Sequence, residues 1–307
     1  MLISPIQNTN YSDYKNYNLV GRKNDLRSAS TSFNGINGTL EHLSPLKYCM
    51  RGILGRFTNI SKVRKFNIDK DFISSLKIVS IKTGKGTSQA WDINPNNSKK
   101  YIIFYHGIGQ NITSNQELYK TMIKKGYGVF APEYGGFGES SGTVTASSIR
   151  QNTIGAIKYL IDKGIKRDDI GVVGFSLGSY PAVTLAHNNK DLKFLVLISP
   201  FNSLQNETQV LLKGSTVKLP KAFKYLIEKF PPLIKTLDWS FQTLKKVKSL
   251  KLPVYFIHSE NDKIISTSST QELANCSRNL KELVILKTGG HSIDPEKINA
   301  FSKLNGI

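Results

Sequence analysis

The chain has 307 residues, which is enough for one large α/β domain or two average domains with a sizeable core. Its 39% hydrophobic and 21% charged residues argue against wholesale disorder and against a fibrous repeat. The 42 Lys and Arg residues exceed the 22 Asp and Glu residues and give a formal charge of +20, which favours acidic partners such as nucleic acid, an anionic membrane or an acidic protein.

We expect neither a membrane span nor a Sec signal peptide nor an N-myristoyl anchor from this sequence. No apolar run approaches the roughly 18–20 residues that cross a bilayer, and residues 1–8 lack the basic start and apolar stretch of a Sec signal peptide. Leu2 stands where myristoylation requires glycine. Cys49 and Cys276 are too few for a disulfide scaffold or a four-thiolate zinc site. We expect a cytoplasmic protein, or one exported by a non-Sec route as a secreted bacterial effector would be, with at most peripheral membrane association.

The N-terminal part divides into two predicted segments. Residues 1–45 are rich in Asn, Ser, Thr and Gly and are predicted to be a polar flexible arm, either an export signal or a disordered tail. Residues 46–72 are predicted to be a basic amphipathic helical extension, because apolar residues recur at helical spacing between Lys and Arg. Residues 46–65 would pack on the body of the protein or lie on an anionic membrane. Gly52 and Gly55 weaken this helix.

From Leu76 onward, strand-like and helix-like segments alternate without an internal repeat. The predicted strands are residues 76–82, 87–93, 101–105, 128–131, 170–174, 194–199, 254–258 and 283–286. The first two form an antiparallel hairpin. Helices are predicted at 114–124, 148–163, after 176, before the last strand and at the C-terminus. This alternation predicts an α/β fold with a mostly parallel, doubly wound sheet over residues 73–307.

The strongest local signal is the G-x-S-x-G run from Gly174 to Gly178, between an apolar strand and an Ala/Leu/Val-rich helix. A chain of this length has such a run by chance about one time in ten, so the context carries the prediction: a nucleophile elbow is a strand, a sharp turn and a helix. The small residues would let the backbone expose Ser176 at a helix N-terminus, where negative charge is stabilised. The alternative is a glycine-rich turn without chemistry.

A nucleophilic serine needs a base, and the base needs an orienting acid, here in the chain order Ser, acid, His. His187 lies too far along the elbow helix, whereas His291 follows the last strand in a flexible T-G-G-H-S loop and is the predicted base. Asp262, in the turn after the strand that ends at His258, is the predicted acid. Glu260 is the runner-up, and Asp238 is a more distant third.

The oxyanion hole requires two backbone N–H groups near the nucleophile. We predict Leu177, which follows the serine, and Ile108 in the loop after the strand 101–105. His106 is expected to brace that loop rather than ligate anything. No His, Cys, Asp or Glu cluster has metal-ligand spacing, so neither a metal nor another cofactor is predicted.

Five blocks in this order resemble the α/β-hydrolase superfamily of serine hydrolases, from about Leu76 to Phe301. They are H-G at 106–107, E-Y-G-G-F-G-E-S-S-G at 133–142, the elbow, I-H-S-E-N-D at 257–262 and G-H at 290–291. The second block is similar to the branch that contains protein depalmitoylases (acyl-protein thioesterases) and related lipases. Two features depart from that branch: Cys49 replaces a cysteine cluster, and Ser259 replaces a glycine.

The resemblance also implies a helical cap, at about residues 203–247. Ten lysines lie between residues 201 and 251, interleaved with aromatic and apolar residues. Such a cap suits docking on anionic lipid, and the alternative is a solvated lysine face. Nucleic-acid binding has no recognition motif to support it.

The sequence thus predicts a serine hydrolase that cleaves an acyl ester or thioester, lipid-like or on a protein, through an acyl-enzyme. In the mechanism that the resemblance implies, Ser176 attacks, His291 moves the proton and Asp262 orients His291. The alternatives are a peptidase or general carboxylesterase on the same fold, or a non-catalytic membrane- or protein-binding scaffold. The complete set of three residues argues against the scaffold.

Overall fold

A computed structural model of the protein describes residues 72, 74–83, 86–142, 144, 146–202 and 243–307. The predicted arm (1–45), the predicted extension apart from Phe72, and the predicted cap apart from residues 243–247 lie outside the described residues. Asp238 and the lysines of the cap before residue 243 lie outside them as well.

Eight strands form one sheet. They are β1 (Leu76–Thr83), β2 (Gly86–Ile93), β3 (Tyr101–Tyr105), β4 (Gly128–Pro132), β5 (Ile170–Phe175), β6 (Phe194–Ile198), β7 (Val254–Ser259) and β8 (Leu280–Leu286). The order in the sheet is β1-β2-β4-β3-β5-β6-β7-β8. β2 pairs antiparallel with β1 and β4, and all the other pairs are parallel. The predicted hairpin and the mostly parallel α/β sheet are therefore confirmed.

Helices cover both faces of this sheet. They are α1 (Gln116–Lys124), α2 (Ala146–Asp162), α3 (Ser179–Asn188), α4 (Thr243–Val247), α5 (Thr267–Cys276) and α6 (Pro295–Lys303). α2, α3, α4 and α5 contribute to one apolar core, and α1 and α6 contribute to the other, on the opposite face. Among the helices in the described part of the chain, none is both long and apolar enough to cross a membrane.

Several element boundaries differ from the sequence prediction by one to three residues, and the contacts around two of them give the physical reason. α1 begins at Gln116 instead of residue 114, because the Asn111 side chain accepts hydrogen bonds from the N–H and hydroxyl of Thr113 and holds the preceding residues in a turn. β8 begins at Leu280 instead of residue 283, because Leu280 pairs with Val254 at the start of β7. The sheet thus reaches further along the chain than the apolar run alone indicated.

The parallel strands determine where chemistry can take place. β3 and β4 to β7 are buried along their whole length, as expected for strands covered on both faces. Because the carboxyl ends of parallel strands meet at one edge of the sheet, the loops after β3, β5, β7 and β8 lie together there.

Candidate active site

Ser176 follows β5 in a sharp turn that only small neighbours allow. Its φ of 50° is in the left-handed region, which a serine rarely adopts. A Cβ on Gly174 would lie 2.5 Å from the carbonyl oxygen of Gly178, and a Cβ on Gly178 would lie 2.0 Å from the carbonyl oxygen of Tyr105. Both positions therefore require glycine, and the strand–turn–helix geometry predicted for this segment is present.

His291 bridges Ser176 and Asp262. Its Nδ1 lies 2.8 Å from Asp262 Oδ2, and its Nε2 lies 3.0 Å from Ser176 Oγ. Because an ionised carboxylate only accepts hydrogen bonds, Nδ1 carries the hydrogen and the neutral ring offers Nε2 as the acceptor for the serine hydroxyl. The Phe175 ring lies beside the imidazole, with 5.2 Å between ring centroids. The structure thus brings together the three side chains that the sequence selected.

The Asp262 carboxylate has partners on both oxygens. Oδ1 accepts the backbone N–H groups of Ile264 and Ile265 at 2.8 and 3.0 Å. Oδ2 faces His258 Nε2 at 3.2 Å in addition to His291. Burial alone would raise the pKa of Asp262, but the hydrogen bonds from His258, His291 and Ile265 outweigh it and hold that pKa well below its usual range. Asp262 is therefore ionised at neutral pH.

His258 is a partner of Asp262 that the sequence analysis did not assign. The side chain is fully buried at the end of β7. Its Nε2–H points to the carbonyl oxygen of Ile265 at 3.1 Å as well as to Asp262, and its Nδ1 lies 2.6 Å from the hydroxyl of Thr270. His258 precedes Asp262 by four residues at the start of the same turn, and this spacing could have indicated that the two side chains meet.

The loop after β3 lies against the elbow. A Cβ on Gly107 would lie 3.4 Å from Ser176 Cβ, and Ile108 is the next residue, half-buried against the core. Leu177 is the second residue of the 3-10 turn that opens α3, so its N–H has no partner within that helix. Of the two residues predicted for the oxyanion hole, Leu177 therefore directly follows the serine, and Ile108 directly follows the glycine that lies against it.

His106 holds this loop from inside the protein. Its Nδ1–H donates to the carbonyl oxygen of Gly107 at 2.8 Å, and its Nε2 lies 2.5 Å from Glu133 Oε1. The other oxygen of Glu133 accepts the N–H of Ile112 at 3.1 Å, and Tyr134 donates its hydroxyl to the carbonyl oxygen of His106 at 2.8 Å. No local pattern indicated that Glu133 is the partner of His106, because the two residues are 27 positions apart.

The alternatives considered from the sequence lie elsewhere. His187 bonds to Ser249 on the surface, at 2.8 Å. Glu260 is paired with Lys287, also at 2.8 Å and exposed. Within the residues that the structure describes, no group of three or more His, Cys, Asp or Glu side chains is arranged to hold a metal ion.

Known proteins with similar sequences and folds share this architecture. A family model described as "Serine aminopeptidase, S33" matches residues 96–240. A putative alpha/beta hydrolase of Acanthamoeba polyphaga mimivirus is 26% identical over 209 residues, which cover 66% of this chain and 72% of the viral protein. An esterase of Pyrococcus furiosus has 23% identity and a TM-score of 0.61, over 78% of this chain and 92% of its own. An alpha-beta hydrolase of Vibrio vulnificus has 20% identity and a TM-score of 0.66, over 89% and 99%. The chain has the α/β-hydrolase fold, and its sequence is similar to those of known α/β hydrolases.

Proposed function

We propose that this protein is a serine esterase or thioesterase that hydrolyses acyl substrates through Ser176, His291 and Asp262. The observation that carries the proposal is the His291 ring between the serine hydroxyl and the buried carboxylate, at 3.0 and 2.8 Å. A nucleophile within reach of a base, with the base oriented by a third group, is the arrangement that activates a serine.

The proposed reaction has two halves. Ser176 Oγ attacks the acyl carbonyl carbon while His291 Nε2 takes the hydroxyl proton, and the imidazolium is stabilised by Asp262. The proton then goes to the departing alcohol or thiol, which leaves an acyl ester on Oγ. Water, deprotonated by the same nitrogen, attacks this ester and releases the acid, after which the serine recovers its proton.

Two backbone N–H groups are proposed to stabilise the negative oxygen that develops in each half. The N–H of Leu177 is at the N-terminus of the elbow helix, where the helix dipole adds to its effect. The N–H of Ile108 lies in the loop that Gly107 brings against the serine. Donors fixed before the reaction begins cost no reorganisation during it.

The proposed substrate is a lipid-like acyl ester or thioester, free or attached to a protein. The resemblance of residues 133–142 to the depalmitoylase branch supports it. Docking on an anionic membrane through the lysine-rich cap and residues 46–65 is part of this proposal, as is a cytoplasmic location or export by a non-Sec route. Co-sedimentation with anionic and neutral vesicles tests the docking, and equal, negligible binding to both would contradict it.

A fluorophosphonate probe tests the reaction itself. We expect the wild-type protein to be labelled at Ser176 and the Ser176→Ala variant to remain unlabelled. Absence of labelling in folded wild-type protein would overturn the proposal that the protein is a serine hydrolase and would support a non-catalytic scaffold. A series of p-nitrophenyl esters and acyl thioesters of increasing chain length then identifies the preferred acyl group and leaving group.

A peptidase is the second candidate, and the description of the matching family model favours it. The same three side chains would cleave an amide, with the proton going to the leaving amine. Aminoacyl and peptide p-nitroanilides tested beside the esters separate the two. Higher kcat/KM on the anilides would replace the esterase proposal by the peptidase.

A further inference from the structure

The loop that carries His291 has little structure of its own. It joins β8 to α6 and contains two consecutive glycines in the left-handed region, Gly289 with φ 104° and Gly290 with φ 59°. No heavy atom lies within 4 Å of the Cβ position of Gly290, so packing does not confine that residue. Hydrogen bonds to the backbone beside His291 therefore contribute to the position of the imidazole, together with its own contacts to Asp262 and Phe175.

A buried lysine supplies two of these hydrogen bonds. Lys297, in the first turn of α6, has a side chain that is 0% exposed. Its Nζ donates to the carbonyl oxygen of Gly290 at 2.6 Å and to that of Ser292 at 2.9 Å. These carbonyls belong to the residues immediately before and after His291, so a single ammonium group holds the backbone on both sides of the imidazole.

The helix beneath the lysine is itself fixed. Asp294 caps α6, because its Oδ1 accepts the backbone N–H of Lys297 at 2.9 Å. Pro295 follows the cap in the first turn, where its restricted φ suits a helix start. Phe301 of the same helix is fully buried in the core. The ammonium group of Lys297 is thus carried by a fixed helix and bonds to a loop that has no regular secondary structure.

Burying this ammonium opposes folding. Burial lowers the pKa of Lys297, while the charges of Asp294, Asp262 and Glu296 act in the opposite direction. A methionine of similar length would fill the same space without the desolvation cost of a charge. Stability alone therefore does not explain a lysine here, whereas two charge-assisted hydrogen bonds to the loop do.

We propose that Lys297 is a positioning residue for His291. It acts through the carbonyls of Gly290 and Ser292 and does not touch the substrate. The proposal rests on the proposed hydrolase function. A misplacement of about 1 Å at a reacting group costs about 10²-fold in rate, so loss of the ammonium lowers kcat by about 10²-fold and leaves KM within about twofold.

The test compares Lys297→Met with Lys303→Met, which removes an exposed lysine from the last turn of the same helix. For both variants we would measure kcat and KM on a p-nitrophenyl ester, the melting temperature, and hydrogen exchange of the backbone amides of residues 290–293. We expect Lys297→Met alone to lose about 10²-fold in kcat and to exchange these amides faster, while amides in β5 keep their protection. Unchanged kcat and unchanged exchange in folded Lys297→Met would overturn the proposal.

A second variant covers the case in which Lys297→Met does not fold. Lys297→Gln keeps an N–H donor on a shorter, neutral side chain, and we expect a kcat below that of wild type together with faster exchange of the amides of residues 290–293. A kcat equal to that of wild type would overturn the proposal. Should the wild-type protein fail to react with any acyl substrate or probe, the hydrolase function would fall, and amide exchange in residues 290–293 would still decide whether Lys297 holds the loop.

Discussion

The elbow and the His291 loop hold the two halves of the candidate site by different physical means. At the elbow, steric exclusion fixes Ser176, because a Cβ on Gly174 or Gly178 would collide with backbone oxygens. In the loop, Gly290 has open space beside it, and hydrogen bonds from other segments fix its backbone. The nucleophile is therefore positioned by the packing of the fold. The backbone that carries the base is positioned by polar contacts from Asn261 and Lys297.

The largest expected effect comes from the acid. Asp262→Asn replaces the acceptor of the His291 Nδ1–H with an amide that can donate, so the ring is held in the wrong tautomer and kcat falls by about 10⁴-fold. The matched control is Glu260→Gln, which alters the exposed runner-up in the same turn and should change kcat by less than about twofold. The kcat of ester hydrolysis is measured for both variants. A larger loss of kcat in the Glu260 variant would identify Glu260, and not Asp262, as the acid that orients His291.

The next effect tests the packing of the elbow. Gly178→Ala places a Cβ 2.0 Å from the carbonyl oxygen of Tyr105, and the backbone shift that relieves the collision should cost about 3 kcal/mol in the free energy of unfolding. Gly109→Ala is the control, because no heavy atom lies within 4 Å of its Cβ position, and its cost should stay within about 0.5 kcal/mol. Urea denaturation measures both. Equal destabilisation by Gly178→Ala and Gly109→Ala would show that the elbow is not packed more closely than the open position at Gly109.

The smallest effect concerns one of the contacts of the loop. Asn261 is exposed, and its Oδ1 accepts the N–H of Gly290 at 2.8 Å. Asn261→Ala removes a hydrogen bond worth about 1 kcal/mol, which corresponds to roughly a fivefold loss of kcat if the bond serves only to orient the loop. Asn279→Ala removes a similar contact, to the carbonyl oxygen of Lys251 at 2.8 Å, away from the site. A fivefold loss of kcat in both variants would mean that the loss does not depend on the contact between Asn261 and the His291 loop.

Sequence reasoning succeeded where the signal is local. The strands have apolar runs of their own, and the elbow carries its glycines within five residues, so the sheet and the turn at Ser176 were predictable. The pairing of His106 with Glu133 and the burial of Lys297 were not. A lysine in the first turn of an amphipathic helix is ordinarily exposed, and only the packing of α6 beneath the His291 loop buries this one.

The position of β6 between β5 and β7 has a consequence for the folding of the chain. Ser176 and His291 are 115 residues apart, and the distance between them depends on correct register across β5, β6, β7 and β8. A slip by one residue in any of these pairings would displace a strand by about 3.3 Å and turn its side chains to the opposite face. Contacts between such distant residues are slow to form because a long loop must close first. A half-folded chain therefore carries an unactivated serine, and the proposed chemistry begins only when the sheet is complete.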